Sequence, residues 1–300
     1  MANKEDIDFT YTTTDKIHRL AIGETLDLSG AMYDGDFSLT LEQAQRKKHE
    51  FITENLNIKK GSKVLDMGCG WGPYLNFISK QGADAIGLTL SKGQYKACRK
   101  NGFNVYIKDV RTVVPEDFGM FDAVVSVGAF EHFCSIEDFK EGNQEKIYRD
   151  FFNTVYNLLP KGSRFYLQTM TFTNNMIKPD AFNIHADKKS KEYICALIEK
   201  LFPGSWLPYE SDMILRNAEP FFKVINISSG KLDYIETILQ WRKMFRRFHL
   251  FKYFLYVKLI FENVFSKKFW HLIYVFRIQP IKVCFECDLM DHYRIVFEKK

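Results

Sequence analysis

The sequence predicts an α/β protein built on a mainly parallel sheet with helices on both faces, and three observations predict it. Short apolar runs alternate with helical stretches through most of the 300 residues, the pattern of repeated βαβ units. One of those runs passes directly into a glycine-rich corner, Lys63-Val-Leu-Asp-Met-Gly-Cys-Gly-Trp-Gly-Pro73, where a helix starts. Two segments, 171–220 and 230–290, are too long for simple crossovers. Both would emerge on the side where open α/β sheets bind ligands.

Taken in order, strands are expected near 63–67, 84–89, 103–107, 121–127, 163–170, 221–227 and 291–298. Helices are expected near 40–56, 72–80, 91–100, 143–158, 190–201, 232–247, 249–264 and 267–277. The loop Glu141-Gly-Asn-Gln-Glu-Lys146 is polar and reads as exposed. The chain exceeds the ~100–150 residue domain mode, so one elaborated domain or two small ones fit it.

The corner carries the first functional signal. Gly68, Gly70 and Gly72 let backbone pass close beneath a ligand, because no Cβ blocks the approach and positive φ costs nothing. The free N–H groups and dipole of the next helix would face the same ligand, which points to a nucleotide-like cofactor. The spacing is G-x-G-x-G, not the G-x-G-x-x-G of dinucleotide folds, and no G-K-[ST] follows as in a P-loop. The next strand ends in Thr89, Leu90 and Ser91, without the acid or arginine of a nicotinamide site. A cofactor with an adenosyl group and no phosphate fits better, and S-adenosylmethionine (SAM) is such a molecule.

Three motifs, Val64-Leu-Asp-Met-Gly-Cys-Gly-Trp-Gly72, Gly87-Leu-Thr-Leu-Ser-Lys-Gly-Gln94 and Phe121-Asp-Ala-Val-Val-Ser-Val-Gly-Ala-Phe-Glu-His-Phe133, carry a closer likeness. With them the chain resembles the cyclopropane fatty acid and mycolic acid synthase family of class I SAM-dependent methyltransferases. Leu39-Thr-Leu-Glu-Gln-Ala-Gln45 resembles the family's helix ahead of the first strand. The likeness spans about residues 28–133 and is loose from about 171 onward.

The resemblance implies a class I methyltransferase (Rossmann-like) sheet of seven strands, the last antiparallel, with helical cap insertions. It implies a helical lid over the cofactor in 1–60, a SAM-binding core in 61–170, and the remaining strands with acceptor-binding insertions (171–220 and 230–290) in 171–300. Gly68, Gly70 and Gly72 would pass beneath the amino-acid end of SAM, with Asp66 near its ammonium. Thr89, Leu90 and Gln94 match the ribose and adenine contacts, and Ser29 matches a hydroxyl in the lid. Asp109 would accept from the adenine amine, with a helix N-cap as its other reading. Val110 stands where the family often has an aromatic residue.

Methyl transfer requires chiefly that a nucleophile be aligned with the sulfonium. An alkene nucleophile becomes a carbocation, so aromatic faces must stabilise it and a base must remove a proton. In the resembled family bound bicarbonate is that base, held by a Cys-flanked backbone amide, a Glu, a His, a Tyr and a late Cys. Carried over, Glu131 is the glutamate, Tyr234 the tyrosine and Cys284 the late cysteine, with Cys287 as the alternative. Gly30 stands at the early Cys, where only an N–H is needed. Gln168 stands at the His, and an amide donates a hydrogen bond but carries no proton. Each has a plain structural reading beside this one: Glu131 a helix cap, Tyr234 a core tyrosine, Cys284 a small buried hydrophobe.

Composition narrows the partners. Phe (28) and Tyr (15) are plentiful, which suits either an aromatic core or a pocket for an apolar acceptor. The net charge of +5 is unevenly spread. Arg242, Lys243, Arg246, Arg247, Lys252, Lys258, Lys267, Lys268, Arg277 and Lys282 face the single acid Glu262 between Trp241 and Lys282. That stripe suits an anionic membrane surface or headgroup, or is simply a solvated face. No recognised motif accompanies it to suggest nucleic acid. The apolar stretch 249–265 is broken by Lys252, Lys258 and Glu262, short of the ~20 apolar residues of a membrane span. Lys252 and Lys258 fall roughly 120° apart on a helix, so the stretch is not a clean surface-lying helix and reads as a core helix whose rims touch solvent or lipid. The N-terminus lacks the features of a signal peptide. Reduced thiols in a cytosol are therefore expected of the six cysteines, and Cys284-Phe-Glu-Cys287 lacks a second pair for zinc.

These readings converge on a cytoplasmic SAM-dependent C-methyltransferase acting on an alkene of a lipid, with peripheral contact to an anionic membrane through 241–282. A small-molecule N- or C-methyltransferase on the same scaffold is the first alternative. Gly128 counts against the amine version, because related plant enzymes carry E-x-x-E-H where this chain has Gly128-Ala-Phe-Glu-His132. A lipid-binding protein that keeps SAM as a structural ligand is the second.

Overall fold

The computed structural model describes residues 22, 25–202, 204–267, 269–270 and 279–300. Most of the helix expected near 267–277, the lid residues 1–21, and Lys268 and Arg277 lie outside them. The strands are β1 (Lys63–Met67), β2 (Asp84–Thr89), β3 (Asn104–Ile107), β4 (Ala123–Val127), β5 (Arg164–Phe172), β6 (Phe222–Ser229) and β7 (Met290–Lys299). They form one sheet in the order β3-β2-β1-β4-β5-β7-β6. Pairing is parallel from β3 to β5, and β7 runs antiparallel to both β5 and β6. Strand β1 has β2 on one side and β4 on the other, so a crevice opens at their C-terminal ends, where open α/β sheets bind ligands.

The helices are α1 (Leu41–Asn55), α2 (Pro73–Ser79), α3 (Lys92–Lys100), α4 (Pro115–Phe118), α5 (Ile136–Lys140), α6 (Gln144–Leu158), α7 (Lys191–Leu201), α8 (Glu210–Ala218), α9 (Lys231–Arg246), α10 (Leu250–Asn263) and α11 (Pro280–Glu286). Thr40 and Gln43 close a capping box that starts α1. On α6, Tyr148, Phe151, Phe152 and Val155 follow helical spacing and are buried. Phe152 meets Phe165 and Phe297 of the sheet at ring distances of 6.4 and 5.6 Å, and Phe130 stacks on Tyr148 at 4.5 Å. Much of the aromatic excess is therefore core.

The long segments differ from the simple expectation. Helix α8, not foreseen in the sequence, packs on α6 through Arg216–Glu145 and Arg149–Asn217 contacts, so the second half of 171–220 is a crossover. The first half and 230–290 do meet: Asn175 donates to the Asp288 carboxylate at 3.0 Å.

Helix α10 corrects the reading of 249–265 as a core helix. Only Lys252 and Leu255 of α10 are buried, while Leu250, Phe254, Val257 and Phe261 are 76%, 62%, 52% and 76% exposed. Lys252 had argued against a surface helix, yet it points inward. Its ammonium donates to the carbonyls of Phe245 and Arg247 at 2.6 and 2.5 Å, closing the C-terminus of α9 as a cation there should. With Lys252 removed from the outer face, the exposed side is mostly apolar, and Lys258 and Glu262, paired at 3.6 Å, are the charges left on it. No helix among the described residues is long and apolar enough to cross a membrane.

Candidate active site

A cavity of about 1180 Å³, its open mouth included, sits at the ends of β1, β2 and β4. Its floor is the glycine corner, where Gly68, Gly70 and Gly72 all have positive φ. The three do different work. Gly70 lines the cavity, and a Cβ built on it would find nothing within 4 Å, so that space is open to a ligand. A Cβ on Gly68, also a lining residue, would fall 2.6 Å from that of Ala129. Gly72 does not line the cavity. It precedes α2 in a left-handed conformation, and a Cβ there would strike Phe103 at 2.8 Å. Gly72 is therefore needed for packing, whatever its place relative to the cofactor.

Thr89, Leu90 and Gln94 line the adjoining wall. Thr89 donates to Gln94 Oε1 at 2.9 Å and accepts from the Ser91 amide at 3.1 Å, while Ser91 caps α3. These bonds fix the Gln94 amide. Beyond β3, Asp109, Val110 and Arg111 also line the cavity. Asp109 takes the cap of its second reading, at a short 3₁₀ turn, and also holds Arg111 through Nε and Nη2 at 3.0 and 2.6 Å.

The N-terminal wall is a bonded strap. Ser29 lines the cavity. Its hydroxyl donates to Asp27 at 2.6 Å and accepts from Lys48 at 2.6 Å, and Gln45 donates to its carbonyl. Asp27 Oδ2 also receives Lys48 Nζ at 2.7 Å and lies 2.8 Å from His49 Nε2. Burial alone would raise the Asp27 pKa, but Lys48 and His49 hold it well below the ordinary carboxylate range. Asp66 contrasts with it. It lines the same cavity, makes no ion pair among the described residues, and is pushed up to about 7 by burial, with Asp27 adding to the effect. A buried carboxylate beside the open space at Gly70 suits the ammonium of an amino-acid cofactor, so the residues fit SAM.

The far wall is made by Gly128, Ala129, His132 and Phe133. Glu131, in the 3₁₀ turn Phe130–His132, is buried. Its Oε1 accepts the Met170 amide at 3.0 Å, at the end of β5 that β4 leaves unpaired, and its Oε2 has no hydrogen-bond partner among the described residues. It does not cap α5, which Ser135 does. Burial raises the Glu131 pKa to about 7, partly offset by the Met170 bond. Burial lowers that of His132 to about 4, and its Nδ1 lies 3.2 Å from Ser205 Oγ, so His132 orients this wall as a neutral ring.

Gly30, Gln168 and Tyr234 come together. Gln168 donates to the Gly30 carbonyl at 2.9 Å and accepts from Tyr166 at 2.9 Å. The Tyr234 ring covers Gly30 so closely that a Cβ there would lie 2.5 Å from Cδ2, which is why a cysteine is not accommodated. Cys284 is elsewhere: it is buried on α11, and the neighbouring Cys195 of α7, followed by burial, pushes its thiol up. Cys287 is exposed.

The sequence reading missed His292 and Arg294, which stand opposite Met170 and Gln168 across β5 and β7. The His292 ring is 4.9 Å from that of Tyr234, and its Nδ1 has no hydrogen-bond partner among the described residues. Arg294 donates to the Ala31 carbonyl at 2.6 Å and to Asp233 at 2.8 Å. Alternation along β7 places both on one face, and that was the available signal.

The family model for mycolic acid cyclopropane synthetase matches residues 1–284. Hydroxymycolate synthase MmaA4 of Mycobacterium tuberculosis is 29% identical over 242 residues, 79% of this chain and 76% of that one. Cyclopropane mycolic acid synthase 2 of the same species is 29% identical over 236 residues, 77% of this chain and 76% of its own. Among solved structures, mycolic acid cyclopropane synthase CmaA1 complexed with SAH and CTAB superposes with a TM-score of 0.76 at 22% identity, over 99% of this chain and 98% of that one. The cyclopropane synthase MmaA2 from M. tuberculosis gives 0.75 at 22% identity, with the same coverage. The fold, the glycine corner and the family match agree: this chain belongs to the mycolic acid cyclopropane synthetase family and is a SAM-dependent methyltransferase.

Proposed function

We propose that the enzyme transfers a methyl or methylene group to an alkene carbon of a lipid. The observation that carries this is Glu131, a buried carboxylate in the turn that walls the cofactor cavity, with one oxygen unpartnered and a pKa near neutrality. Bound SAM supplies an electrophilic methyl carbon. With SAM held over Gly70 and Asp66, an alkene π pair would form the new C–C bond while the S–C pair leaves on sulfur, and a cation would remain on the neighbouring carbon. Loss of a proton from the transferred methyl closes a cyclopropane, and loss from an adjacent carbon leaves a methyl-branched alkene. A group that titrates near neutral pH is suited to take that proton. The Tyr234 ring supplies a face to a cation, while Gln168 holds the Gly30 backbone in place beneath it.

The resemblance also brings bicarbonate, which would sit among Gly30, Glu131, Gln168, Tyr234 and Cys284. The fit is partial, because Gln168 already donates to the Gly30 carbonyl and Cys284 faces Cys195. We therefore assign the final proton to Glu131 directly, and a requirement for bicarbonate would move that role to the anion. We read 1–60 as the lid, 61–170 as the SAM core and 171–300 as the part that shapes the acceptor site. A lipid acceptor also places the enzyme against an anionic membrane through 241–282. The test is turnover: unsaturated lipid should drive release of S-adenosylhomocysteine, and saturated lipid should not. Turnover with amines alone would move the reaction to a heteroatom.

A further inference from the structure

We infer that α10, with the end of α9, is an in-plane anchor that seats the enzyme on an anionic lipid surface; this deepens the lipid reading and names the element that makes contact. Leu250, Phe254, Val257 and Phe261 follow the i, i+4, i+7, i+11 spacing of a single helix face, and all four are exposed. Phe248 (78%) and Phe265 (97%), just outside the two ends of the helix, are exposed as well. Lys252, Leu255, Tyr256 and Leu259 form the opposite, inward side. Phe245 and Tyr256, 5.7 Å apart, and the Lys252 bonds tie α10 to α9. The helix is thus a fixed ridge with its apolar side turned outward.

Charge decides what lies opposite that ridge. Arg242, Lys243, Arg246, Arg247 and Lys267 are exposed on the segments that flank α10 in the chain. The only acid in 241–270 is Glu262, which sits 3.6 Å from Lys258. A second copy of the chain would bring this cationic rim against itself, whereas phosphate headgroups would neutralise it. An apolar face rimmed by cations is the arrangement of helices that lie at the headgroup boundary, and each basic residue near such a surface adds attraction that salt screens.

The test is sedimentation of the full chain with vesicles of phosphatidylglycerol mixed with phosphatidylcholine, against phosphatidylcholine alone. Binding is expected to the anionic vesicles and to weaken as salt rises. Phe254→Glu/Phe261→Glu should abolish it, and Arg246→Glu/Arg247→Glu should weaken it at least ~10-fold. Both variants should keep the wild-type circular dichroism and their affinity for S-adenosylhomocysteine, since the ridge lies outside the cofactor cavity. Equal binding to both vesicle types, or unchanged binding by the phenylalanine variant, would overturn the inference. So would sedimentation velocity showing a wild-type dimer that the phenylalanine variant splits while vesicle binding persists. Turnover of detergent-dispersed unsaturated lipid reads the reaction separately. A failed anchor with intact turnover, or the reverse, tells the two claims apart.

Discussion

The two ends of this enzyme treat water in opposite ways. Around the cofactor cavity the chain buries charge: Asp27, Lys48, Asp66, Glu131, Asp233 and Arg294 are all inside. Along α10 it exposes rings and aliphatics that would ordinarily be core. Buried charge is costly unless paired, and exposed apolar area forgoes about 25 cal/mol per Å². Most of the buried charges are answered within the chain, Asp27 by Lys48 and Asp233 by Arg294. Among the described residues Asp66 has no ion-pair partner and one oxygen of Glu131 no hydrogen-bond partner, and the ridge is left uncovered. The comparison teaches where to look for ligands: at groups whose free-energy cost nothing in the chain offsets.

The largest expected effect breaks the comparison on the cofactor side alone. Gly70→Val puts a branched side chain into open ligand space and strains a positive φ. Calorimetry should show SAM and S-adenosylhomocysteine binding lost, with vesicle binding intact. Wild type should bind both and bind neither NAD nor NADP. Unaffected binding in the variant would mean that the cavity over Gly70 is not the cofactor site.

Glu131→Gln separates chemistry from binding. Turnover should fall by ~10²–10⁴, the usual span for losing a positioned base, while SAM affinity stays within a few-fold. Turnover in carbonate-depleted buffer sharpens the same point. If Glu131 takes the proton directly, added bicarbonate changes nothing, and a strong bicarbonate requirement would assign the proton to the anion.

On the opposite side, Lys252→Met leaves two carbonyls at the end of α9 without their ammonium. A loss of about 1–3 kcal/mol is expected, read as faster amide exchange in α10, with SAM affinity unchanged. No change in exchange would mean that α10 is held by apolar packing alone.

The smallest effect is a pH dependence at Asp66. Its pKa is raised to about 7 in the folded chain, so it keeps its proton below that pH and its ionised form is the one an ammonium favours. Affinity for SAM should therefore rise with pH, by roughly tenfold between about pH 6 and 8, and then level off. Stability of the ligand-free chain should move the other way, since a raised carboxyl contributes stability at low pH that is lost as pH climbs toward 7. Asp66→Asn should flatten both profiles.

Much of the fold was legible because its signals are local. Alternating apolar runs and the glycine corner each act within a few residues. The misses are tertiary. Nothing local shows that Gly72 faces Phe103 while Gly70 faces open space. The Lys252 charge looks like any other in its stripe until the end of α9 is placed beside it. The positions of His292 and Arg294 depend on β7 running beside β5. The strap at Asp27, Lys48 and His49 depends on a chain segment crossing α1, and spacing in the sequence does not encode that crossing.

The central claim is that the acceptor is a lipid alkene, and mass spectrometry of lipids from cells expressing the chain tests it most directly. Wild-type enzyme should convert a fraction of unsaturated acyl chains to species heavier by one CH₂, and Glu131→Gln should yield far less. Unsaturated chains left unchanged by an enzyme that binds SAM and turns it over on another acceptor would contradict the account.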